Sequence, residues 1–506
     1  MEKRTRNIMV AVAYKYTEIE EIKEAVKDPL FLPSPLQHGV VSIKQIIDNG
    51  HRFDASVYNM DAIAALDTVK HNPYGYIMLL GEFGLIDKAY VGGRFKRIYT
   101  DKTSDIPFYM PSDIESIYAK PSKFISRKTD TDIDSLRVCK DMLVMTVSGT
   151  IGKTSLIGKT LDNQVFSHDL LRITFKNKCD LGYVYAFLNT DVGLTILQSN
   201  NYGAVIDHIE PEHLSKVPIP NAPESEKKVI HDLIVESFNL RDQSNDLIDE
   251  AQAMLHKELG LTAKKDEIKP TYYSDRTKIR AFTIKASQLD ARFDVSYHLP
   301  EISETISLIS RNADEVTTLG DSRITSDIIL PGRFKRIYVD KAKGIPFFGG
   351  KQLLQLNPSN MKYLSLSHHG ERISSELMLK ENMCAITCSG TIGKIAIVPK
   401  HWSNWAMNQH VMRVVPASDS IAGYIYAWLD TPYSHTLITR NVYGAVVDEI
   451  DSKHIANVCI PLLKDKSKQK KINDLVLKAN SLRYQAYIKE QDTIKKMNEI
   501  LGIKTE

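Results

Sequence analysis

Gly93-Arg94-Phe95-Lys96-Arg97-Ile98-Tyr99 returns 239 positions later as Gly332-Arg333-Phe334-Lys335-Arg336-Ile337-Tyr338, with all seven residues unchanged. Further matches keep almost the same offset. Ser148-Gly149-Thr150-Ile151-Gly152-Lys153 returns as Ser389-Gly390-Thr391-Ile392-Gly393-Lys394, and Tyr202-Gly203-Ala204-Val205 as Tyr443-Gly444-Ala445-Val446, each 241 positions on. Weaker echoes stay in register: Arg52-Phe53-Asp54 with Arg292-Phe293-Asp294, and Ile106-Pro107-Phe108 with Ile345-Pro346-Phe347. Collinear matches at one offset mean an internal duplication, so the chain reads as two tandem copies of one unit.

Each copy has the same internal order. A segment rich in β-branched residues, Gly and Pro reads as short strands and turns. It ends at Val217-Pro218-Ile219-Pro220 or Val458-Cys459-Ile460-Pro461. A stretch without Pro or internal Gly follows, Glu224 to Leu259 or Lys466 to Leu501, each stopped by a Gly suited to a helix C-terminus. Helices of this length are about 50 Å long at 1.5 Å per residue. Ile230, Leu233, Ser237, Leu240, Ser244, Leu247, Ala251 and Met254 step by three and four, a heptad seam; Ile472, Leu475, Ala479, Leu482 and Ala486 begin a second. Residues 224–261 carry nine acidic against four basic side chains, and residues 462–506 eleven basic against six acidic, which favours pairing of the two helices over self-pairing. The fold class is therefore α+β: two tandem pseudo-symmetric domains, each followed by a long helix, the helices packed as an antiparallel coiled coil. The expected bounds are residues 1–222 and 263–461 for the domains, and 223–262 and 462–506 for the helices.

Composition narrows the class. Of 506 residues, 43% are hydrophobic and 25% charged, as in ordinary globular protein, and the net charge of +3 leaves local basic patches to set any field. No run approaches the ~18 apolar residues of a membrane helix. Cys139, Cys179, Cys384, Cys388 and Cys459 are odd in number and scattered. That argues against a disulfide framework and for a reducing, cytoplasmic setting. Cys384 and Cys388 read as small buried side chains in a strand. The start imitates a signal peptide, but its apolar run, Ile8 to Ala13, is short and reads as a first β-strand.

The candidate functional residues are those the duplication preserves. Arg94, Lys96 and Arg97, and Arg333, Lys335 and Arg336, interleave charge with Phe and Tyr, suiting contact with phosphates and base edges. Strand alternation would place Arg94, Lys96 and Ile98 on one face and Phe95, Arg97 and Tyr99 on the other. The Ser-Gly-Thr-Ile-Gly-Lys segments read as hairpin tips. Two residues separate their glycines where a P-loop needs four, and a strand follows, so nucleotide hydrolysis is excluded there. Two readings remain: backbone N–H groups and Lys153 or Lys394 meeting a phosphate, or a structural turn. Tyr202 and Tyr443 lie in turns before the Pro-bounded helix starts and join the DNA-contact candidates. His208 has no His counterpart. His213 and His454 correspond, and read as structural. Asn72-Pro73-Tyr74 reads as a turn rather than a methyltransferase motif. No catalytic constellation emerges, and the chain reads as a binder.

The whole pattern resembles the specificity subunit of type I restriction–modification systems, over Val41 to Gly502. The residues carrying the resemblance are Ser148–Lys153 and Ser389–Lys394, the Tyr-Gly-Ala-Val turns with Ile219-Pro220 and Ile460-Pro461, and the ends Leu259-Gly260-Leu261 and Leu501-Gly502-Ile503. The resemblance implies two target-recognition domains, each reading half of a split site in double-stranded DNA. It implies a helix pair that acts as a ruler and docks modification methyltransferase subunits and a restriction/translocase subunit. S-adenosylmethionine and ATP would then belong to those partners, with no cofactor here. The first ~40 residues lie outside what the resemblance explains. A target-recognition protein of another methylation or phage-defence assembly, and a repeat scaffold for protein partners, are the alternatives.

Overall fold

The computed structural model describes residues 41–48, 51, 53, 58–100, 105–121, 123–199, 208–262, 281–289 and 292–503. The expected strand at Ile8 to Ala13, Arg52, Asp54 and the Tyr202 turn lie outside them. The chain divides into two compact units, Met1–Ile63 and Ala64–Glu506. The first contains the short helix Ile43–Asp48; the strands and long helices of both sequence copies lie in the second.

In the first copy the apolar run before the glycine hairpin is a strand, Leu143–Thr146. Four strands, β1 (Ile86–Tyr90), β2 (Leu143–Thr146), β3 (Thr154–Leu156) and β4 (Leu170–Phe175), form a sheet in the order β1-β4-β2-β3. Every residue of β2 is buried, which is why it reads as a continuous apolar run rather than an alternating one. In the second copy β5 (Thr325–Ile329), β6 (Cys384–Thr387), β7 (Ile395–Ile397) and β8 (Val411–Pro416) repeat the order as β5-β8-β6-β7. The register repeats too. Leu143 faces Leu156 and Ile173, and their equivalents, Cys384, Ile397 and Val414, pair in the same way. Both outer strands are irregular at the same place, after Ile86 and after Thr325. Cys384 and Cys388 are buried, and burial pushes both thiols up to about 12.

Each copy is closed by joining its beginning to its end. Tyr76–Met78 pairs with Pro218–Pro220, and Glu315–Thr318 with Cys459–Leu462. A helix then lies on each four-stranded sheet: α1 (Lys178–Leu188), followed by the long α2 (Glu224–Leu259), and α3 (Asp419–Leu429), followed by the long α4 (Lys466–Ile500). Left-handed Gly260 (φ 62°) caps α2, and Gly502 (φ 74°) follows α4. The two histidines flagged as structural serve short caps: Glu210 N–H donates to His213 Nδ1, and Asp451 N–H to His454 Nδ1.

The long helices run antiparallel. Glu236 pairs with Lys489, Ser244 accepts from Arg483, Glu250 pairs with Lys471 and Glu258 with Lys468. The opposite charge of the two segments thus becomes interhelical ion pairs. Each end of the helix pair is seated in one copy's core: Ile230 and Ile234 with Met497 and Ile500 in the first, Leu255 and Leu259 with Ile472 and Val476 in the second. Asn72, in the turn that imitated a methyltransferase motif, donates from Nδ2 to the Ile500 carbonyl.

Candidate nucleic-acid interface

The basic-aromatic segments are extended but lie outside the sheets; only Tyr99–Thr100 at the end of the first is a strand. Alternation nevertheless holds over most of their length. Arg94, Lys96 and Ile98 are exposed, while Phe95 and Arg97 turn inward; Arg333 and Lys335 are exposed, while Phe334 and Arg336 turn inward. Tyr99, expected on the inner face, is 46% exposed.

The inward arginines are held by their own copies. Arg97 lies over the Phe108 ring at 5.7 Å and donates to Ser167 Oγ at 2.9 Å, with Asp169 at 3.3 Å. Arg336 lies over Phe347, also at 5.7 Å, and donates to Gln409 Oε1 at 2.7 Å. Behind each loop stands an arginine that sequence reasoning passed over. Arg172 and Arg413 are fully buried and donate to backbone carbonyls: Leu136, Arg137 and Leu170 for one; Leu377, Val411 and Met407 for the other. Burial holds the Arg172 guanidinium down at about 10 and that of Arg413 at about 9. Their signal was present: an arginine in register inside two apolar strands, 241 positions apart. Burial and the neighbouring arginines also lower His168 and His410 below the usual imidazole range.

Of the two readings of the glycine hairpins, the structural turn accounts for their residues. Gly149, Gly152, Gly390 and Gly393 all have positive φ, between 73° and 86°. The Gly152 and Gly393 N–H groups donate to the Thr146 and Thr387 carbonyls, and Gly390 N–H to the Asp448 carbonyl, so these are not free to cradle a phosphate. The two lysines differ. Lys153 is largely covered and lies 3.8 Å from Glu115, its charge disfavoured by burial. Lys394 is exposed on a cleft of about 490 Å³ that Arg336, Lys351, Lys362 and His410 also line.

In the second copy the candidates therefore converge. Arg336 and Lys394 share the cleft, and Arg333 reaches Glu449 at 3.0 Å, whose backbone pairs with that of Tyr443. Lys335 stands exposed on the same segment. In the first copy Arg94 and Lys96 are exposed, Arg97 is engaged with Ser167 and Asp169, Lys153 is turned to Glu115, and Tyr202 lies outside the described residues. Lys351 carried no sequence signal, its counterpart in the first copy being Ser112; Lys362 did, because Lys123 stands 239 positions earlier, pairs with Phe108 as Lys362 does with Phe347, and lies over Tyr99 as Lys362 does over Tyr338.

Among the described residues no group of His, Cys, Asp and Glu could hold a metal ion, and no helix is long and apolar enough to cross a membrane. No family model and no curated protein matches the chain. Solved structures do. The S subunit of a type I restriction–modification system from M. genitalium is 13% identical, with 82% of this chain and 92% of that chain covered at a TM-score of 0.32. The HsdS subunit from Thermoanaerobacter tengcongensis is 13% identical, with 84% and 98% covered at a TM-score of 0.25. A chain from work on complex assembly and conformational transition of the type I R-M system is also 13% identical, with 84% and 96% covered at a TM-score of 0.27. These three solved structures, each similar to this chain over more than 80% of its length, are by their own descriptions a type I restriction–modification S subunit, a chain from work on the type I R-M system and an HsdS subunit.

Proposed function

We propose that the chain is a non-catalytic specificity subunit that binds double-stranded DNA and reads a site in two halves. Residues 1–222 and 263–461 act as tandem target-recognition domains. The helices of residues 223–262 and 462–506 form an antiparallel coiled coil that spaces the domains and docks methyltransferase and restriction/translocase subunits in the cytoplasm. S-adenosylmethionine and ATP chemistry belongs to those partners. The observation that carries this reading is a doubled one. Two copies with one strand order each present an exposed pair of cations from the same segment, Arg94 with Lys96 and Arg333 with Lys335. Duplex DNA has local two-fold symmetry, so a pseudo-two-fold protein with two basic faces suits two half-sites.

The test is a salt titration of the full-length chain on a mixed-sequence duplex. Each phosphate neutralised adds about 0.9 to the slope of log affinity against log salt. Arg94→Ala combined with Arg333→Ala should weaken binding and reduce the slope by about two. Unchanged affinity and slope would remove these segments from the interface.

A further inference from the structure

Val446, at 96%, is the most exposed large apolar side chain among the described residues. A single exposed valine is ordinary on a protein surface. Two observations set this one apart. Tyr-Gly-Ala-Val stands unchanged in both copies while the residues directly beside it differ, Asn201 and Ile206 in one, Val442 and Val447 in the other. In the second copy the Val446 side chain has no packing role that would require its retention. The loop is also built to hold its shape. Tyr443 N–H donates to the Glu449 carbonyl at 3.0 Å, and Glu449 N–H returns a bond to the Tyr443 carbonyl at 2.7 Å. Gly444 has φ 121°, and a Cβ there would lie 2.1 Å from the Val447 carbonyl oxygen, so only glycine fits.

The loop is tied to the basic face. Arg333 pairs with Glu449 at its root, Gly390 N–H donates to the Asp448 carbonyl, and Ser389 bridges to Glu449. Those bonds join it to the hairpin of Lys394 and the segment of Lys335, both exposed. The loop's own carboxylates, Asp448 and Glu449, are outnumbered by Arg333, Lys335, Arg336 and Lys394. An apolar tip amid cations is complementary to an anionic partner with apolar features at groove depth. In duplex DNA that feature is the thymine C5-methyl group.

We propose that the Val446 tip enters a groove of duplex DNA and packs on a thymine methyl, so that the loop reads one A·T pair in the half-site of the second copy. This deepens the reading of the chain as a DNA binder and rests on it.

The full-length chain, Val446→Ser, Val446→Asp and Arg333→Ala are each offered a random-sequence duplex library, and the bound duplexes are sequenced. Val446→Ser should keep its salt dependence and lose about four-fold of the preference for thymine at one position, the effect of one methylene-sized apolar contact. The wild-type chain should show the same loss on a library carrying deoxyuridine in place of thymidine. Val446→Asp, which sets a carboxylate against the duplex, should bind at least roughly ten-fold more weakly. If both Val446 variants select and bind as wild type while Arg333→Ala binds weakly, the tip does not read DNA and the DNA-binding reading stands. An unaltered preference on the deoxyuridine library overturns the thymine contact. A wild-type chain that binds no duplex overturns both proposals.

Discussion

Gly423 sits where α3 crosses the backbone of α4: a Cβ there would lie 2.3 Å from the Asn473 carbonyl oxygen, and Asn473 Oδ1 accepts from Gly423 N–H at 2.8 Å. Gly182, its counterpart in α1, meets His231 Cα of α2 at 2.6 Å in the same sense. A helical glycine is normally a weakness, and Ala would raise helix propensity by about 1 kcal/mol. Here close approach wins, because the obstacle is backbone and cannot rotate away. Gly423→Ala should therefore destabilise by about 1–3 kcal/mol, seen as a lower Tm. Gly370→Ala, with nothing within 4 Å, should be neutral or stabilising. A Gly423→Ala protein as stable as wild type would mean that the two helices are not held in this contact. At this scale the sequence was partly legible. The hairpin glycines and the basic segments stood out because they recur. The partner of Lys153 did not, since Glu115 lies on a segment 38 positions away with no pattern linking the two.

The long helices show why an element is easier to read than its facing side. Both were legible in extent, from the absence of Pro and Gly to the glycine that stops each. The expected seam was half displaced. Ile230, Ser237, Ser244 and Ala251 are buried, but Leu233, Leu240, Leu247 and Met254 are only half-buried; the fully buried positions between are Ile234, Ile248 and Leu255. On α4 the buried residues Ile472, Val476, Ala479, Arg483, Ala486, Glu490, Thr493, Met497 and Ile500 keep steps of four and three to its end, with Asn473 and Asn480 buried beside them. The most apolar stripe was the visible one, yet Leu247, Met254 and Leu475 pack against the second copy's core, and polar residues fill the seam. Arg241 meets Glu490 at 2.5 Å, and Glu490 also accepts from Tyr185 of α1. No hydrophobic period reveals a buried ion pair. Removing one partner should cost about 3–5 kcal/mol, because the other is left charged and buried. Glu490→Ala should fall in that range in denaturant unfolding, and Arg241→Met combined with Glu490→Leu should recover most of the loss. Equal stability of Glu490→Ala and wild type would place this pair in water rather than in the seam.

At the scale of Ala64–Glu506 the two copies meet at two places. Arg483 donates to Ser244 between the long helices, and Ser116 bridges to Gln355, its own counterpart 239 positions on. Around that bridge a strap of the first copy grips the second: Ile117 N–H donates to the Leu354 carbonyl, Glu115 accepts from Ser359, and Lys120 pairs with Asp430. Tyr118, on the same strap, donates to Asp249 of α2. The duplication made the repeated strand order legible, but the strap was not, because its two sides differ in sequence. In the proposed function the helices are the ruler, and the strap would be a second constraint on spacing. A four-residue insertion after Ser244, matched by one after Arg483, lengthens the pair by about 6 Å at 1.5 Å per residue. At a rise of ~3.4 Å per base pair that is about two base pairs. Sequencing the duplexes that the wild-type and doubly inserted chains select from a random library tests the central claim directly. The wild type should select two short blocks with one fixed gap, and the insertion variant the same blocks with a gap about two base pairs longer. A single uninterrupted block, or a folded insertion variant with the original gap, would contradict a two-reader protein spaced by its helices.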